Sequence, residues 1–227
     1  MLIAFDFGAV LAQWPLLAKG VAWTVGLTVV SAVVGVVAGI AFAWARTYGG
    51  AALKAGVGAY VELIRNTPFI VQLFFVFFGL PAAGVRLSPE VASIIAMVIN
   101  LSAYATEIIR AGIEATPKGQ LEAAHSLALS ARQVFVHVTL PPALKKVWPA
   151  LVSQIIIVML GSAVCGQIST EELSYAANLI QSRTFRAFES FIIAALIYLG
   201  LAMLLRKALS NVGSRLIFGR SKEAART

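Results

Sequence analysis

Five stretches of the chain carry no charged side chain: Gly20–Ala45, Asn66–Val85, Val91–Thr106, Val147–Thr170 and Ser190–Leu205. Each approaches or exceeds the roughly 20 residues that an α-helix needs to cross the hydrocarbon core of a bilayer. With 59% hydrophobic and 12% charged residues, and a mean hydropathy of +0.87, the same chain folded in water would leave much of its apolar surface bare. In lipid the backbone must satisfy its own hydrogen bonds, and stretches of this length do so as helices. The prediction is an all-α integral membrane protein with about five transmembrane helices.

The net charge of +8 raises nucleic acid as a partner, but the cations gather at span ends and not in one soluble patch. One side of a five-span chain holds Arg46, Lys54, Arg65, Arg110, Lys118, Arg132, Lys145, Lys146, Arg206, Lys207, Arg215, Arg220, Lys222 and Arg226, while the other holds Lys19, Arg86, Arg183 and Arg186. That split of 14 to 4 assigns the richer side to the cytoplasm and the N-terminus to the outside. The lipid bilayer, and no nucleic acid, is the expected surrounding.

Cys165 is the sole cysteine, so neither an intrachain disulfide nor a cysteine-based metal site is available. The first eighteen residues contain Asp6 and no Lys or Arg, the wrong charge for a signal-peptide n-region, and the first span is expected to stay in the mature protein. Repeats and long linkers are absent, so residues 1–227 read as one membrane domain. Its two long polar connections lie at about 111–146, on the cytoplasmic side, and about 169–186, outside. Gly35 and Gly39 form a small-xxx-small pair that lets another helix approach the first span.

In the first connection, Thr116 before Pro117 suits an N-cap with proline at the first helical position, opening a helix over Lys118–Leu129. Ser130-Ala131-Arg132-Gln133 is a capping-box sequence for a second short helix through Val138, which Leu140-Pro141-Pro142 should end. Leu121, Ala124, Leu127 and Ala128, and then Val134, Phe135 and Val138, recur at helical spacing and predict one apolar face on each helix. An amphipathic loop lying in the lipid interface would show the same pattern. In the second connection Ser169-Thr170-Glu171-Glu172 is another capping-box pattern, predicting a short helix on the outer surface.

Glu122-Ala123-Ala124, Ser130, Phe135, Leu140-Pro141 and Pro149 resemble the EAA loop of ABC importer permeases. Glu62 to Pro68, Gln72 to Phe75, Phe78 to Pro81, Ala103-Tyr104, Glu107 to Arg110, Pro117 to Gln120 and Arg183 to Arg186 narrow the resemblance to the polar amino acid uptake branch of the type I importers. That resemblance implies a permease subunit in the bacterial inner membrane. Its implied partners are a second permease, identical or different, two cytoplasmic ATP-binding subunits and an external solute-binding protein. It further implies that ATP is bound by partner subunits, leaving this chain with no cofactor and no catalytic residue, and that Glu122, Ala123, Ala124, Ser130, Leu140 and Pro141 couple it to the ATPase. Glu122 stands out because an acidic group early in an exposed helix can pair with a donor on an ATPase surface.

Two departures accompany the resemblance. Ala128 stands where the loop of this family usually has glycine, a C-cap position that wants a left-handed residue; either that geometry is kept with alanine at a cost of roughly 1 kcal/mol, or the first helix runs on into Ser130. Leu160-Gly161-Ser162-Ala163-Val164 replaces a Lys-Asp-Thr-Ser-Leu segment common in the fourth span of the branch.

Ser93, Met97, Asn100, Tyr104 and Glu107 alternate at spacings of four and three, so they share one face of the third span, which should turn away from lipid. Polar groups in hydrocarbon are costly unless they face a bundle interior or a wet cavity, which makes Asn100, Tyr104, Gln72, Gln154 and Ser162 candidates for the solute path. Interhelical glue is the alternative for each of them. Glu107 with Arg110, and Glu62 with Arg65, are three residues apart and predict ion pairs at helix ends.

A secondary transporter or channel shares this hydropathy, but five spans give no even repeat to invert and no acid lies near the middle of a span. An intramembrane hydrolase built on Ser162 lacks a base, because His125 and His137 both fall in the cytoplasmic connection. No G-x-x-x-x-G-K-[ST] phosphate loop is present, so the chain is not an ATPase.

Overall fold

The computed structural model describes residues 5–217, which are helical with turns and contain no strand among them. Arg220, Lys222 and Arg226 of the basic tail lie outside the described residues. A short helix α1 (Phe7–Leu11) precedes the long first span α2 (Trp14–Tyr48). Then come α3 (Ala51–Arg65), α4 (Phe69–Phe74, continued by a π-helical turn to Gly79 and a 3₁₀ turn to Ala83) and the third span α5 (Pro89–Glu114). The connection that follows holds α6 (Lys118–Ser126) and α7 (Ala131–Gln133), and the fourth span is α8 (Leu140–Gly161) with a 3₁₀ extension to Ile168. Helix α9 (Leu173–Thr184) and the last span α10 (Ala187–Val212) complete the chain.

Four of these helices are long and apolar enough to cross a membrane, and a fifth crossing requires α3 and α4 taken together, bent by 110°. The uniform second span expected over Asn66–Val85 is therefore corrected: the helix restarts at Phe69 and spans 15 residues, about 22 Å of rise, short of the roughly 30 Å hydrocarbon core. Pro68 is the cause, since its ring disfavours helical geometry at Thr67 and removes a donor from the break. Gln72 staples the gap by donating to the carbonyls of Ile64 (2.7 Å) and Thr67 (3.0 Å).

Gly35 and Gly39 do what their spacing predicts. A Cβ on Gly39 would lie 2.6 Å from Cβ of Ala105, and one on Gly35 3.0 Å from the side chain of Leu101, so α2 and α5 touch backbone to side chain. The central core beneath them gathers Leu27, Leu73, Met97, Leu101, Ile155 and Cys165 from four spans.

The prolines of Leu140-Pro141-Pro142 do not end a helix, contrary to expectation. Residues Ala131–Ile168 form one continuous rod of 38 residues. A π-helical turn over Val134–Thr139 sits directly before the prolines, which take up the first positions of α8. There the missing N–H groups leave no donor stranded, and the wider turn relieves the ring clash.

Two capping expectations change as well. Pro117, not Thr116, is the N-cap of α6, and the Thr116 hydroxyl is buried without a hydrogen-bond partner. At the second connection Glu172 caps α9 with its own carboxylate, while Ser169 takes a left-handed turn (φ 68°) instead of serving as the cap. Helix α9 is not merely laid on the surface, because Leu173, Ala177 and Ile180 are buried against Leu17 of α2 and Ile193 of α10. The capping box of Ser130 and Gln133 is present with both reciprocal bonds.

Candidate functional site

The connection between the third and fourth spans is a helix–turn–helix whose turn rests on Ala128. That residue is left-handed (φ 54°), its N–H bonds the His125 carbonyl (2.9 Å), and the Leu129 N–H bonds the Ala124 carbonyl (3.3 Å). These two bonds define a Schellman motif, so the glycine geometry is kept with an alanine in place. Helix α6 buries Ala124 and leaves Glu122 and Ala123 exposed; Leu127, expected on the apolar face, is 74% exposed because it follows the helix and turns outward. Val134 and Phe135 are buried as expected, with the Phe135 ring edge-on to Tyr48 of the first span (5.9 Å). Ser130 and Pro141 are exposed and Leu140 is half-buried against Ile109 and Ile113 at the end of α5.

The polar face of α5 is distributed along the bundle. Ser93 pairs with Thr170 (2.8 Å), and Asn100 donates to Oε1 of Gln72 (3.0 Å), so the structure brings Gln72 and Asn100 together. Beside Asn100 lies a hollow of about 90 Å³ lined also by Phe69, Ile157, Val158 and Gly161, at the break between α3 and α4. Gln154 is buried one turn from Ile157 and Val158 on the same side of α8. Ser162 is elsewhere: it is buried, and its hydroxyl donates to the Met159 carbonyl (2.6 Å). Tyr104 turns its ring toward the Arg65 guanidinium (5.5 Å).

Near the C-terminal end of α5, Glu107 receives three arginines. Arg110 donates at 2.7 Å, Arg46 at 3.1 Å from the end of α2, and Arg65 stands at 3.9 Å from the end of α3. Arg110 also pairs with Glu114. The expected Glu62–Arg65 pair does not form: Glu62 accepts from Asn66 (2.9 Å), and Arg65 follows the chain bend toward the deeper carboxylate of Glu107. Burial explains the preference, since a half-buried carboxylate holds a cation better than an exposed one. Arg46 escaped the sequence reading because it lies 61 residues from Glu107, with no spacing rule to join them.

In the sequence Glu172 shows only as part of a cap pattern. It is fully buried, accepting from Tyr198 (2.6 Å), Ser174 N (2.8 Å) and Tyr175 N (2.8 Å), and so ties α9 to α10. Burial pushes its carboxyl above the usual carboxylate range, and the bonds from Tyr198, Ser174 and Tyr175 draw it back only in part. Among the described residues no group of three or more His, Cys, Asp or Glu could hold a metal ion.

Comparison with known proteins gives consistent matches. Residues 35–217 match the family described as binding-protein-dependent transport system inner membrane component. The probable glutamine ABC transporter permease protein GlnM of Bacillus subtilis (strain 168) is 40% identical over 158 residues, 70% of this chain and 73% of that protein. The arginine transport system permease protein ArtQ of the same strain is 34% identical over 201 residues, 88% of this chain and 92% of that protein. A crystal structure of an amino acid ABC transporter with histidines superposes with a TM-score of 0.84 at 36% identity, covering 94% of this chain and all of that one (100%).

Proposed function

The chain belongs to the family of binding-protein-dependent transport system inner membrane components, and from that membership we propose that it forms half of the translocation path for a polar amino acid. It is a permease subunit of an ABC transporter in the inner membrane, and ATP hydrolysis belongs to a separate subunit. The proposal adds a second permease, two ATP-binding subunits on the side of α6, a solute-binding protein on the side of α9, and an N-terminus facing outside. The names of the relatives, which include glutamine and arginine carriers, support a polar amino acid as the solute.

One observation carries the coupling role: α6, which presents Glu122 and Leu127 to solvent, is joined by the turn at Ala128 to a helix that starts within the connection and continues as the fourth span. Ala131–Ile168 is a single rod, about 57 Å long. A push on α6 passes through buried Ala124 and the Schellman turn into this rod, and the rod carries Val158 and Gly161 at the hollow beside Asn100. Rigid elements with satisfied caps transmit displacement where a slack loop would absorb it. In this reading Glu122, Ala123, Ala124, Ser130, Leu140 and Pro141 form the coupling surface. Asn100 faces the solute, with Gln154 one helical turn from Ile157 and Val158 of the same hollow, while Gln72 supports Asn100.

The test reconstitutes the complete transporter in proteoliposomes with Glu122→Lys. The expected result is loss of solute-stimulated ATP hydrolysis with the permease still assembled in the membrane. Stimulation and uptake equal to wild type would refute the coupling role of Glu122.

A further inference from the structure

The cations at the inner ends of the spans fall into two kinds. Arg46, Arg65 and Arg110 converge on Glu107. On the last two spans the matching ends carry Lys145, Lys146, Arg206, Lys207 and Arg215, yet between Leu140 and Ile217 the only acids are Glu171, Glu172 and Glu189, all toward the opposite end. Arg206 makes no ion pair among the described residues, and Lys145, Lys146, Arg206 and Lys207 are all exposed.

One of these cations, Arg206, lines a groove of about 330 Å³ between α8 and α10, together with Trp148, Val152, Ser153 and Ser210, and Lys146 and Lys207 lie within two residues of that lining in the chain. Trp148 wedges the two helices apart at their inner ends, its indole N–H donating to the Leu209 carbonyl (3.1 Å). Leu196, Leu199, Met203, Arg206 and Ser210 share one face of α10, and the three apolar members are 62%, 55% and 59% exposed. The groove thus has a guanidinium and two hydroxyls at its mouth and an open apolar track running from it toward the middle of the membrane. That is the chemistry of one phospholipid: a phosphate beside a cation at the interface, with its chains along an apolar helix face.

We propose that this groove binds the headgroup of an anionic phospholipid of the inner leaflet, with Arg206 pairing its phosphate. The assignment of the leaflet rests on the orientation given above, whereas the site itself does not. A neutral-headgroup lipid carries a balancing cation that the surrounding lysines repel, so the groove selects phosphatidylglycerol over phosphatidylcholine.

The experiment reconstitutes the assembled transporter in nanodiscs of phosphatidylcholine containing increasing phosphatidylglycerol and counts retained lipid by native mass spectrometry. Wild type is expected to retain phosphatidylglycerol selectively. Arg206→Gln should weaken retention about fivefold, the worth of one interfacial cation. Ser210→Phe, which fills the groove and keeps the charge, should weaken it similarly. Arg132→Gln, on the loop away from the groove, should leave it unchanged. Equal retention by Arg206→Gln and wild type, or equal retention of phosphatidylcholine, overturns the site. So does a rise in melting temperature with inorganic phosphate alone, which would make the ligand a free anion. Retention by the isolated permease that is lost in the assembled transporter would show that a partner subunit covers the groove, and overturns it too. Selective retention together with labelling of a cysteine at Ser130 from the outer side would keep the lipid site and reject only the orientation.

Discussion

Replacing Ala128 with glycine should tighten the connection between the third and fourth spans. The residue sits at φ 54°, where a Cβ crowds the following carbonyl at a cost of about 1–2 kcal/mol. Glycine removes that cost and gives back about 0.4–1 kcal/mol through the greater freedom of the opened chain. The net gain is about 1 kcal/mol, or roughly a fivefold lower population of the opened turn. The reporting group is the Leu129 amide, whose partner is the Ala124 carbonyl at 3.3 Å. Hydrogen exchange of peptides covering residues 124–133, read by mass spectrometry on the purified permease, should slow about fivefold at that amide. Ala128→Val should speed it, because a β-branched side chain tolerates the left-handed region least. Unchanged or faster exchange in Ala128→Gly would refute the reasoning, since it would mean that the turn stores no strain.

Glu107→Gln should destabilise the inner end of the bundle by about 1–2 kcal/mol, discounted for the partial exposure of Arg46 and Arg110, and lower the thermal midpoint of the detergent-solubilised permease by a few degrees. Asn100→Leu should weaken uptake about tenfold with assembly intact, whereas Gln72→Leu should reduce assembly, because it strips the donor from the Ile64 and Thr67 carbonyls; uptake assays and complex yield separate the two. A cysteine at Ser130 should react with an impermeant thiol reagent only from the cytoplasmic side and one at Ser182 only from outside, and labelling of both from one face would reject the five-crossing topology.

Solvent preference and local grammar made much of this protein legible in its residues. Uncharged runs such as Gly20–Ala45 are too long and apolar to face water, and the Ser130–Gln133 cap and the left-handed requirement at Ala128 are satisfied within a few residues of themselves. The apolar pairs Gly35–Leu101 and Gly39–Ala105 were half legible: spacing marked the face, and only the fold chose the partner. Where the outcome depended on distant groups, sequence spacing misled. Glu62 and Arg65 have the right separation for a pair, yet Arg65 goes to Glu107 because the break at Pro68 turns the end of α3 toward α5, beside Arg46. Pro141-Pro142 reads as a stop, but a preceding π turn and the packing of Phe135 on Tyr48 carry the helix through. Glu172 reads as a surface cap and is instead buried on Tyr198, and Asn100 meets Gln72 and a hollow that no spacing could locate. Short-range hydrogen bonding and transfer from water depend on a residue and its near neighbours, so the sequence contains them. The partner of a charge or of a polar group inside the bundle depends on which helices meet at that depth, and that is decided by the packing of all of them together.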